Sequence, residues 1–343
     1  MSAISPDRAA TRRRGIIAAL VVLVTAGLLY WVLRDTSIGE ITSHLRRARP
    51  APLVLAVALA TATFVIRAIR WHTLLRRPDG GPVPPMALWH ATAVGFMANN
   101  TLPFRLGEVI RSYAVGRLGG VSLASGLSSI AVERALDLLT LVGLLVFALF
   151  RSGIPGETEI RGSRLDALAL RAAALCAVIF LAALGVVLFP RLAERIIRRL
   201  VPFPRLADRL VTLIEALRTG LQVLRDPRRL LTAATWSLAL WLVNAASFFV
   251  AFAAFGIQVD FAGALLVQTL LAFGVAAPST PGYFGVFELV TAAALALFGV
   301  PYSLGVAYGA TYHVTTFVPI VLLGFWSLTR TGLSLREARA AAR

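Results

Sequence analysis

Six apolar runs of bilayer length constrain this chain more than any other feature of its sequence. A helix that crosses the hydrocarbon core of a membrane needs about 20 mostly apolar residues, and 58% of the 343 residues are hydrophobic. The runs occupy residues 16–33, 51–69, 126–149, 168–189, 230–255 and 304–328. We therefore predict an all-α, polytopic membrane protein. Its first span is expected to stay uncleaved, because no small-residue cleavage site follows it.

Two further apolar segments are interrupted by proline and glycine. Residues 86–118 break around Pro103, and residues 261–298 break around Pro281. Each segment predicts two half-length helices, and irregular backbone at membrane depth is tolerated only where it is buried in protein or lines a wet cavity. We predict about six full transmembrane helices and two re-entrant helical hairpins. The alternative, in which half-helices complete a crossing, gives eight or more spans.

The two broken segments share a pattern. A Pro–x3–Gly motif opens both of them, first at Pro103 and again at Pro281 in the second half of the chain. Glu108 follows in the first segment and Glu288 in the second, and a long apolar helix comes after each. Broken hydrophobic segments at matching places in two halves of a chain indicate the binding site of a transporter.

The charge distribution predicts how these segments are arranged in one integral membrane domain, 1–343. With the N terminus in the cytoplasm and the sides alternating, the inner segments carry a net charge of +17 and the outer segments sum to 0, as the positive-inside rule requires. Both termini are then cytoplasmic. Because the charge lies between apolar runs, we expect no nucleic-acid partner.

This arrangement predicts inverted repeats. The first repeat unit covers 51–149, the second covers 230–328, and a connector, 150–229, joins them. The basic stretch 190–229 of the connector is predicted to form cytoplasmic amphipathic helices on the inner leaflet. A solvated linker helix is the alternative for that stretch.

Ionisable residues at membrane depth are costly and mark functional sites by default. In the run 126–149, Glu133 and Asp137 share one helical face and Arg134 lies at its edge. Two interpretations stay open for these three residues, a structural ion-pair cluster or a substrate or proton site. In the second unit, Tyr312 and His313 take the places of Glu133 and Arg134, so the polar face persists without its charge.

The first hairpin supplies arginines suited to a phosphate. Arg105 and Arg111 offer bidentate, charge-assisted contacts, and anchoring near the headgroups is the alternative. Glu108 is three residues from each of them, which favours pairing within the hairpin. Alternatively, Arg105 or Arg111 pairs with Glu133 or Asp137 in one state and with a lipid phosphate in another. Glu288 is interpreted as a proton carrier, or as a helix N-terminal residue satisfied by backbone amides.

Other polar residues are expected to have structural roles. Arg67 and Arg70 are predicted to extend to the membrane interface, with Trp71 as an interface anchor. Three asparagines are predicted to cap backbone or to hydrogen-bond between helices: Asn99, Asn100 and Asn244. Walker, G-x-S-x-G and His/Cys-cluster patterns are absent from the sequence. We therefore expect neither catalytic residues nor cofactor or metal, and the protein is predicted not to be an enzyme.

Four sequence elements together resemble a known family. They are RWHTLLRR (70–77), NNTLPFRLGEVIRSYAVGRLGG (99–120), SSIAVERALDLL (128–139) and PSTPGYFGVFELVTAAALALFGVP (278–301). The chain resembles, over about residues 15–330, the flippase-like membrane domain of lysylphosphatidylglycerol synthases and its stand-alone members. Many members have glycine where this chain has Tyr283.

The resemblance implies movement of lipid across a bacterial inner membrane. The lipid would be anionic, aminoacylated or polyprenyl-linked, with its phosphate headgroup meeting the protein between the hairpins and the runs 126–149 and 304–328. The family's soluble synthase activity is expected to be absent, because the chain ends at Arg343. The alternatives are a small-solute or ion secondary transporter and a non-transporting scaffold for a lipid-modifying enzyme. Predicted protein partners are a second copy of the chain or such an enzyme.

Overall fold

The computed structural model describes four continuous stretches, 37–102, 106–152, 226–276 and 281–334. The shorter described pieces are 159–160, 163–164 and 189–200, with single residues at 23, 27, 30, 33, 174, 178, 185, 203, 208 and 211. Arg105 and most of the runs predicted at 16–33 and 168–189 lie outside the described residues.

Almost all of the described chain is helical, which confirms the all-α prediction. The helices are α1 (Ile38–Arg47), α2 (Pro50–Leu74), α3 (Pro85–Thr101), α4 (Gly107–Gly119), α5 (Leu123–Arg151), α6 (Pro190–Leu200), α7 (Pro227–Ala254), α8 (Phe261–Gly274), α9 (Val286–Ala296) and α10 (Tyr302–Thr331). A short antiparallel hairpin, β1 (Glu159–Ile160) with β2 (Ser163–Arg164), is the exception.

Local sequence determines where several helices begin and end. The side chain of Asp226 accepts hydrogen bonds from the first backbone amides of α7, and Pro227 occupies its first turn. Ser122 caps α5 by accepting from the Ser125 amide at 3.0 Å. Gly120, with φ of 69°, ends α4 in the left-handed conformation that favours glycine.

Three helices, α2, α7 and α10, have the length and apolar composition needed to cross a membrane. They coincide with the predicted runs 51–69, 230–255 and 304–328. Helix α5 is 29 residues long, coincides with the run 126–149, and carries the predicted charged residues. These helices support a multi-pass membrane protein, and the number of crossings stays a prediction.

Both broken segments form pairs of shorter helices, as predicted. Helices α3 and α4 are separated by residues 102–106, and helices α8 and α9 by residues 275–285. Each pair packs together. Whether the pairs are re-entrant stays a prediction.

The turn between α3 and α4 depends on a glycine. A Cβ added to Gly107 would lie 2.0 Å from the carbonyl oxygen of Gly95, so only glycine allows this approach. The Oδ1 atom of Asn99 accepts a hydrogen bond from the Gly107 amide at 2.8 Å. The capping role predicted for Asn99 is therefore confirmed.

Helices α2 and α7 pack against each other in antiparallel orientation. At one end, the amide of Arg49 donates to the carbonyl of Ala254 at 2.8 Å. At the other end, Arg70 Nη1 donates to Ser237 Oγ at 2.9 Å. Helix α2 is the first helix of the first predicted unit and α7 is the first helix of the second, so the corresponding helices of the two units run in opposite directions.

Helix packing in one predicted unit has a counterpart in the other. Helix α3 packs on α10, and α8 packs on α5. Helix α4 packs on α5 as α9 packs on α10, and α2 packs on α3 as α7 packs on α8. Each hairpin therefore contacts the last long helix of the opposite unit. The division into units 51–149 and 230–328 stays a prediction, and this packing agrees with it.

Two helices lie outside these units. Helix α1 packs on α10 and was not predicted from the sequence. Helix α6 covers the first part of the basic stretch 190–229, whose other residues lie mostly outside the described chain. In α6, the apolar side chains of Leu192 and Ile196 are about half exposed beside exposed arginines. Contact of this helix with a membrane surface stays a prediction.

Candidate functional site

The polar face predicted for α5 is buried, and arginines from two other helices contact its carboxylates. Glu133 is 0% and Asp137 is 3% exposed. From α4, Arg111 donates to both oxygens of Glu133, with distances of 2.5 Å and 3.3 Å. From α2, Arg70 donates to Asp137 Oδ1 at 2.5 Å and lies 3.6 Å from Glu133 Oε2. Charge-assisted arginine–carboxylate contacts of this kind are among the strong hydrogen bonds of proteins.

Two partly exposed residues complete this group. Arg134 Nη2 lies 3.3 Å from Asp137 Oδ2, and Arg134 Nε lies 3.8 Å from Glu108 Oε1. We call the group the charge cluster; its members are Arg70, Glu108, Arg111, Glu133, Arg134 and Asp137. Three arginines face three carboxylates, so the formal charges of the cluster cancel. Buried charges persist when each has a partner, so the cluster requires no ligand for its charge balance.

The cluster corrects three expectations from the sequence. Arg70 and Trp71 are both fully buried, so neither reaches the membrane interface. Trp71 Nε1 donates to Ser129 Oγ at 2.8 Å, and the Arg111 guanidinium lies 3.7 Å from the centre of the Trp71 ring system. The pairing of Arg111 with Glu108 within the hairpin is wrong, whereas the alternative pairing of Arg111 with Glu133 is confirmed.

A sequence signal for the role of Arg70 does exist. Two carboxylates of α5, Glu133 and Asp137, share one face with a single arginine, Arg134. Because a buried carboxylate without a partner is costly, this excess requires a basic residue from another helix. The sequence cannot tell which helix supplies it.

A cavity of about 240 Å³ lies where both hairpins meet α2, α7 and α10. We call it the central cavity; the residues that line it are Arg67, Asn100, Trp241, Asn244, Phe248, Gln268, Leu271, Ala272, Val275, Tyr283, Phe287, His313, Thr316, Phe317 and Ile320. The sequence placed it beside the run 126–149, but none of the described lining residues comes from α5. Helices α2 and α7 contribute to the wall instead, with Arg67 from α2 and three residues from α7.

Arg67 lies in the cavity wall, and no carboxylate among the described residues forms an ion pair with it. Its guanidinium carbon lies 4.6 Å from the centre of the Phe96 ring. The carboxylates of the neighbouring charge cluster are engaged by the three arginines of that cluster. The sequence predicted that Arg67 extends to the membrane interface, whereas it lies at the cavity wall.

One buried polar atom of the cavity wall, the side-chain oxygen of Gln268, lacks a hydrogen-bond donor among the described residues. Gln268 is 2% exposed, and its Nε2 donates to the carbonyl of Trp241 at 3.2 Å. Its Oε1 has no hydrogen-bond partner among the described residues. A buried acceptor without a donor costs about 1–3 kcal/mol. This oxygen is therefore ready to accept a hydrogen bond from a molecule inside the cavity.

Tyr283 contributes backbone strain to the same wall. Its φ of 64° lies in the left-handed region, which favours glycine. Strained backbone persists where the surrounding structure requires it and is concentrated at functional sites. The bulky side chain of Tyr283 consequently lines the cavity at a position where a glycine would be the unstrained choice.

Glu288 has two partners, so it is not an isolated buried carboxylate. Its Oε2 accepts from the amide of Gly285 at 2.7 Å, which confirms the backbone-amide interpretation. Its Oε1 lies 2.8 Å from His313 Nδ1. The His313 ring stacks on Phe287 with ring centres 4.2 Å apart. Glu288 therefore positions a histidine that lines the cavity, a pairing the sequence analysis missed.

The Glu288–His313 pair occupies the place of a pair in the first unit. When the two units are aligned on their Pro–x3–Gly motifs, Glu288 corresponds to Glu108 and His313 to Arg134, with only a small shift in register. In both units an acid at the start of the second hairpin helix meets a basic residue of the following long helix. This acid–base contact thus recurs in both units, and the first hairpin has the Arg111–Glu133 pair in addition.

A second contact also recurs, but without charge. Glu133 meets Arg70 in the first unit. In the same alignment of the two units, Tyr312 corresponds to Glu133, and Ser247 lies close to the position that corresponds to Arg70. Ser247 Oγ donates to a backbone carbonyl, and Tyr312 donates to Ser247 at 2.8 Å. The persistence of the polar face without its charge agrees with the sequence analysis.

The structure thus separates the predicted site residues into two groups. Five of them belong to the charge cluster: Glu108, Arg111, Glu133, Arg134 and Asp137. Three lie in the second unit: Glu288, Tyr312 and His313. Of these eight, His313 lines the cavity. Trp241 connects the groups, since it lines the cavity and donates through Nε1 to Asp137 at 3.1 Å.

Comparison with known proteins identifies the family. The family model of the lysylphosphatidylglycerol synthase TM region matches residues 16–324. The chain is 27% identical to glycosyltransferase AglD of Haloferax volcanii, over 96% of this chain and 56% of AglD. It is 25% and 23% identical to two UPF0104 membrane proteins of Methanothermobacter thermautotrophicus, over 91% and 95% of this chain and 92% and 98% of those proteins.

The coverage differs between these relatives. The chain spans little more than half the length of AglD, whereas it spans nearly the full length of both UPF0104 proteins. The resemblance found in the sequence motifs is confirmed by the family match over most of the chain. This protein belongs to the family of the lysylphosphatidylglycerol synthase TM region.

Proposed function

We propose that this protein moves a phosphate-bearing lipid across the membrane, with the headgroup passing through the central cavity. The observation that carries the proposal is Arg67, a cation at the cavity wall without a carboxylate partner among the described residues. A charge at membrane depth is costly unless an opposite charge meets it, and guanidinium matches phosphate geometry. The phosphate supplies that opposite charge, while the hydrocarbon chains stay in the lipid.

The charge cluster has a supporting role in this proposal. Its arginines are occupied by carboxylates, so a phosphate at Arg111 would have to displace Glu133. The cluster instead fixes α2, α4 and α5 relative to one another and holds Trp241 at the cavity wall through Asp137. Arg67 lies one helical turn before Arg70 and is positioned by the same helix.

Alternating access is the proposed mechanism. The antiparallel contact of α2 with α7 supports an inverted relation between the units, as in transporters whose halves rock around a central site. The contacts Glu108–Arg134 and Glu288–His313 hold the two hairpins. In this proposal the contact of Glu288 with His313 breaks and re-forms as the second hairpin moves, whereas the charge cluster keeps the first hairpin fixed to α5. Glu288 with His313 carries protons where a proton gradient drives transport.

The remaining assignments follow from this mechanism. We place the protein in the plasma membrane of a prokaryote with both termini in the cytoplasm. Transport needs no catalytic residue, so the protein is proposed not to be an enzyme. Membrane lipid is its proposed ligand, and the proposed protein partners are a second copy or a lipid-modifying enzyme. The name of the relative AglD, a glycosyltransferase, favours one second candidate, participation in glycosyl transfer.

Lipid movement in proteoliposomes tests the proposal. Purified protein would be reconstituted with fluorescent phosphatidylglycerol, polyprenyl phosphate or diacylglycerol, with and without a proton gradient. We expect a phosphate-bearing lipid to move faster than in protein-free liposomes, and no such acceleration for diacylglycerol, which lacks phosphate. If folded protein accelerates none of these lipids under either condition, the proposal is wrong, and the solute-transporter and scaffold alternatives take its place.

A further inference from the structure

The described wall of the central cavity carries formal charge of one sign. It includes Arg67 but no aspartate or glutamate. The nearest carboxylates are already engaged: Asp137 accepts from Arg70 and Trp241, and Glu288 accepts from a backbone amide and contacts His313. With the phosphate paired to Arg67, the ammonium groups of an aminoacylated headgroup would find no carboxylate in the described wall, and a buried charge without a partner is costly.

The same wall offers several neutral hydrogen-bonding groups. The side-chain amides of Asn100 and Asn244 make no hydrogen bond within the described part of the chain, and Gln268 Oε1 is buried without a donor. Amides both donate and accept, so they match hydroxyl groups, which do the same. They do not neutralise an ammonium group.

Aromatic rings complete the wall. Trp241, Phe248, Phe287 and Phe317 line the cavity together with Tyr283, His313 and several aliphatic side chains. Such rings bury the apolar C–H faces of a ligand, while the few polar groups fix its orientation. This combination of rings and amides suits a sugar ring, whose faces are apolar and whose edge carries hydroxyls.

The size of the cavity limits what enters it. Its volume of about 240 Å³ lies below the roughly 300–1,000 Å³ of pockets that hold drug-sized ligands. It accommodates a compact headgroup and excludes a whole lipid. Chains attached to the phosphate must therefore remain outside.

We propose that the central cavity selects lipids whose phosphate carries a neutral, hydroxyl-rich group such as a single sugar, and discriminates against aminoacylated lipids. This inference rests on the proposed function, since it names the headgroup class of the same site. The phosphate meets Arg67, the hydroxyls meet Gln268 and the two asparagines, and the rings pack on the sugar face.

Competition binding to the full chain in detergent tests the selectivity apart from transport. The probes are a short-chain prenyl phosphoglucose, lysyl-phosphatidylglycerol and glucose 1-phosphate, which distinguishes a lipid from a free sugar phosphate. We expect prenyl phosphoglucose to bind about tenfold or more tightly than lysyl-phosphatidylglycerol, a difference of about 1.4 kcal/mol. Equal or tighter binding of the lysyl lipid overturns the inference, as does binding of free glucose 1-phosphate as tight as that of the prenyl lipid.

A variant that adds a negative charge sharpens the test. Asn244→Asp places a carboxylate in the wall of the cavity that Arg67 also lines, so it should weaken binding of prenyl phosphoglucose and strengthen binding of the lysyl lipid. Gln258→Glu adds the same charge at an exposed position outside the cavity, and we expect the selectivity of wild type. Thermal unfolding confirms that each variant is folded. Unchanged selectivity in folded Asn244→Asp contradicts the inference.

Different experimental results would contradict the headgroup assignment and the proposed transport function. Selective binding of prenyl phosphoglucose without movement of any lipid supports the headgroup assignment and refutes transport. Movement of lysyl-phosphatidylglycerol in preference to prenyl phosphoglucose supports transport and refutes the headgroup assignment.

Discussion

Two neighbouring arginines of α2 have different roles because their partners differ. Arg70 is buried among the carboxylates of α5, whereas Arg67, three residues earlier, lines the cavity against the Phe96 ring. The formal charges of the cluster cancel, so the charge of Arg67 in the cavity wall is not neutralised by the cluster. A change at Arg70 should therefore affect folding, and a change at Arg67 should affect the ligand.

Arg67→Gln tests the second half of this distinction. A hydrogen bond to a charged group contributes about 1.5–3 kcal/mol, so losing the contact to phosphate should slow lipid movement by about tenfold or more. The melting temperature should change little, since Arg67 has no ion-pair partner among the described residues. Arg228→Gln, which removes an exposed arginine at the start of α7, serves as the matched control. Equal transport by both variants would contradict the role of Arg67.

Glu133→Gln tests the first half. Removing one member of a buried ion pair leaves its partner uncompensated and costs about 3–5 kcal/mol. We expect a large drop in thermal stability, measured in detergent by fluorescence. The double variant Arg111→Gln with Glu133→Gln should regain part of that loss, because no charge of this pair is then left unpaired. Glu40→Gln, at an exposed site in α1, should be neutral. An equally stable Glu133→Gln protein would show that the cluster does not hold the fold.

At the scale of the element, helix positions were predictable from the sequence, and contacts between helices were not. Apolar runs and proline breaks determine where a helix can span, so α2, α7 and α10 lie within a few residues of their predicted bounds. Periodicity also placed Glu133 and Asp137 on one face of α5. Which helix covers that face depends on packing between distant segments, so the contribution of Arg70 and the position of the cavity could not be derived.

Close packing of the first hairpin makes a specific prediction about glycine. Gly107→Ala would bring a Cβ to 2.0 Å from the Gly95 carbonyl oxygen and 2.4 Å from Asn99 Oδ1. Helices α3 and α4 must then separate, at a cost of about 1–3 kcal/mol or more. Gly143→Ala, on the exposed side of α5 with no atom within 4 Å of the added carbon, should be neutral or stabilising by up to about 1 kcal/mol. Equal melting temperatures would exclude the close approach.

At the scale of the whole molecule, the two predicted units make corresponding contacts with opposite helix direction. The antiparallel pairing of α2 and α7 places the loop after α2 and the loop after α7 at opposite ends of the helix pair. Inversion of this kind lets one site face each side of the membrane in turn. The asymmetry lies in the charges, since the ion pairs of the first unit are partly replaced by hydroxyl contacts in the second.

Cysteine accessibility tests the inverted arrangement. In a Cys176→Ser background, which removes the single native cysteine, cysteines at Pro78 and at Gln258 report on the two loops. Both positions are exposed. A membrane-impermeant maleimide added to intact cells should label Gln258→Cys and leave Pro78→Cys unlabelled until the membrane is opened. Labelling of both in intact cells would refute the inversion.

Mapping the path of a headgroup is the most direct test of the central claim, that a lipid phosphate passes through the cavity at Arg67. A lipid with a photoreactive group next to its phosphate would be cross-linked to reconstituted protein, and the modified residues identified by mass spectrometry. The account predicts modification of the cavity walls around Arg67 and Phe317, reduced by unlabelled lipid and lost in Arg67→Gln. Modification restricted to outward-facing side chains such as Phe150, which is 85% exposed, with an unmodified cavity, would contradict it.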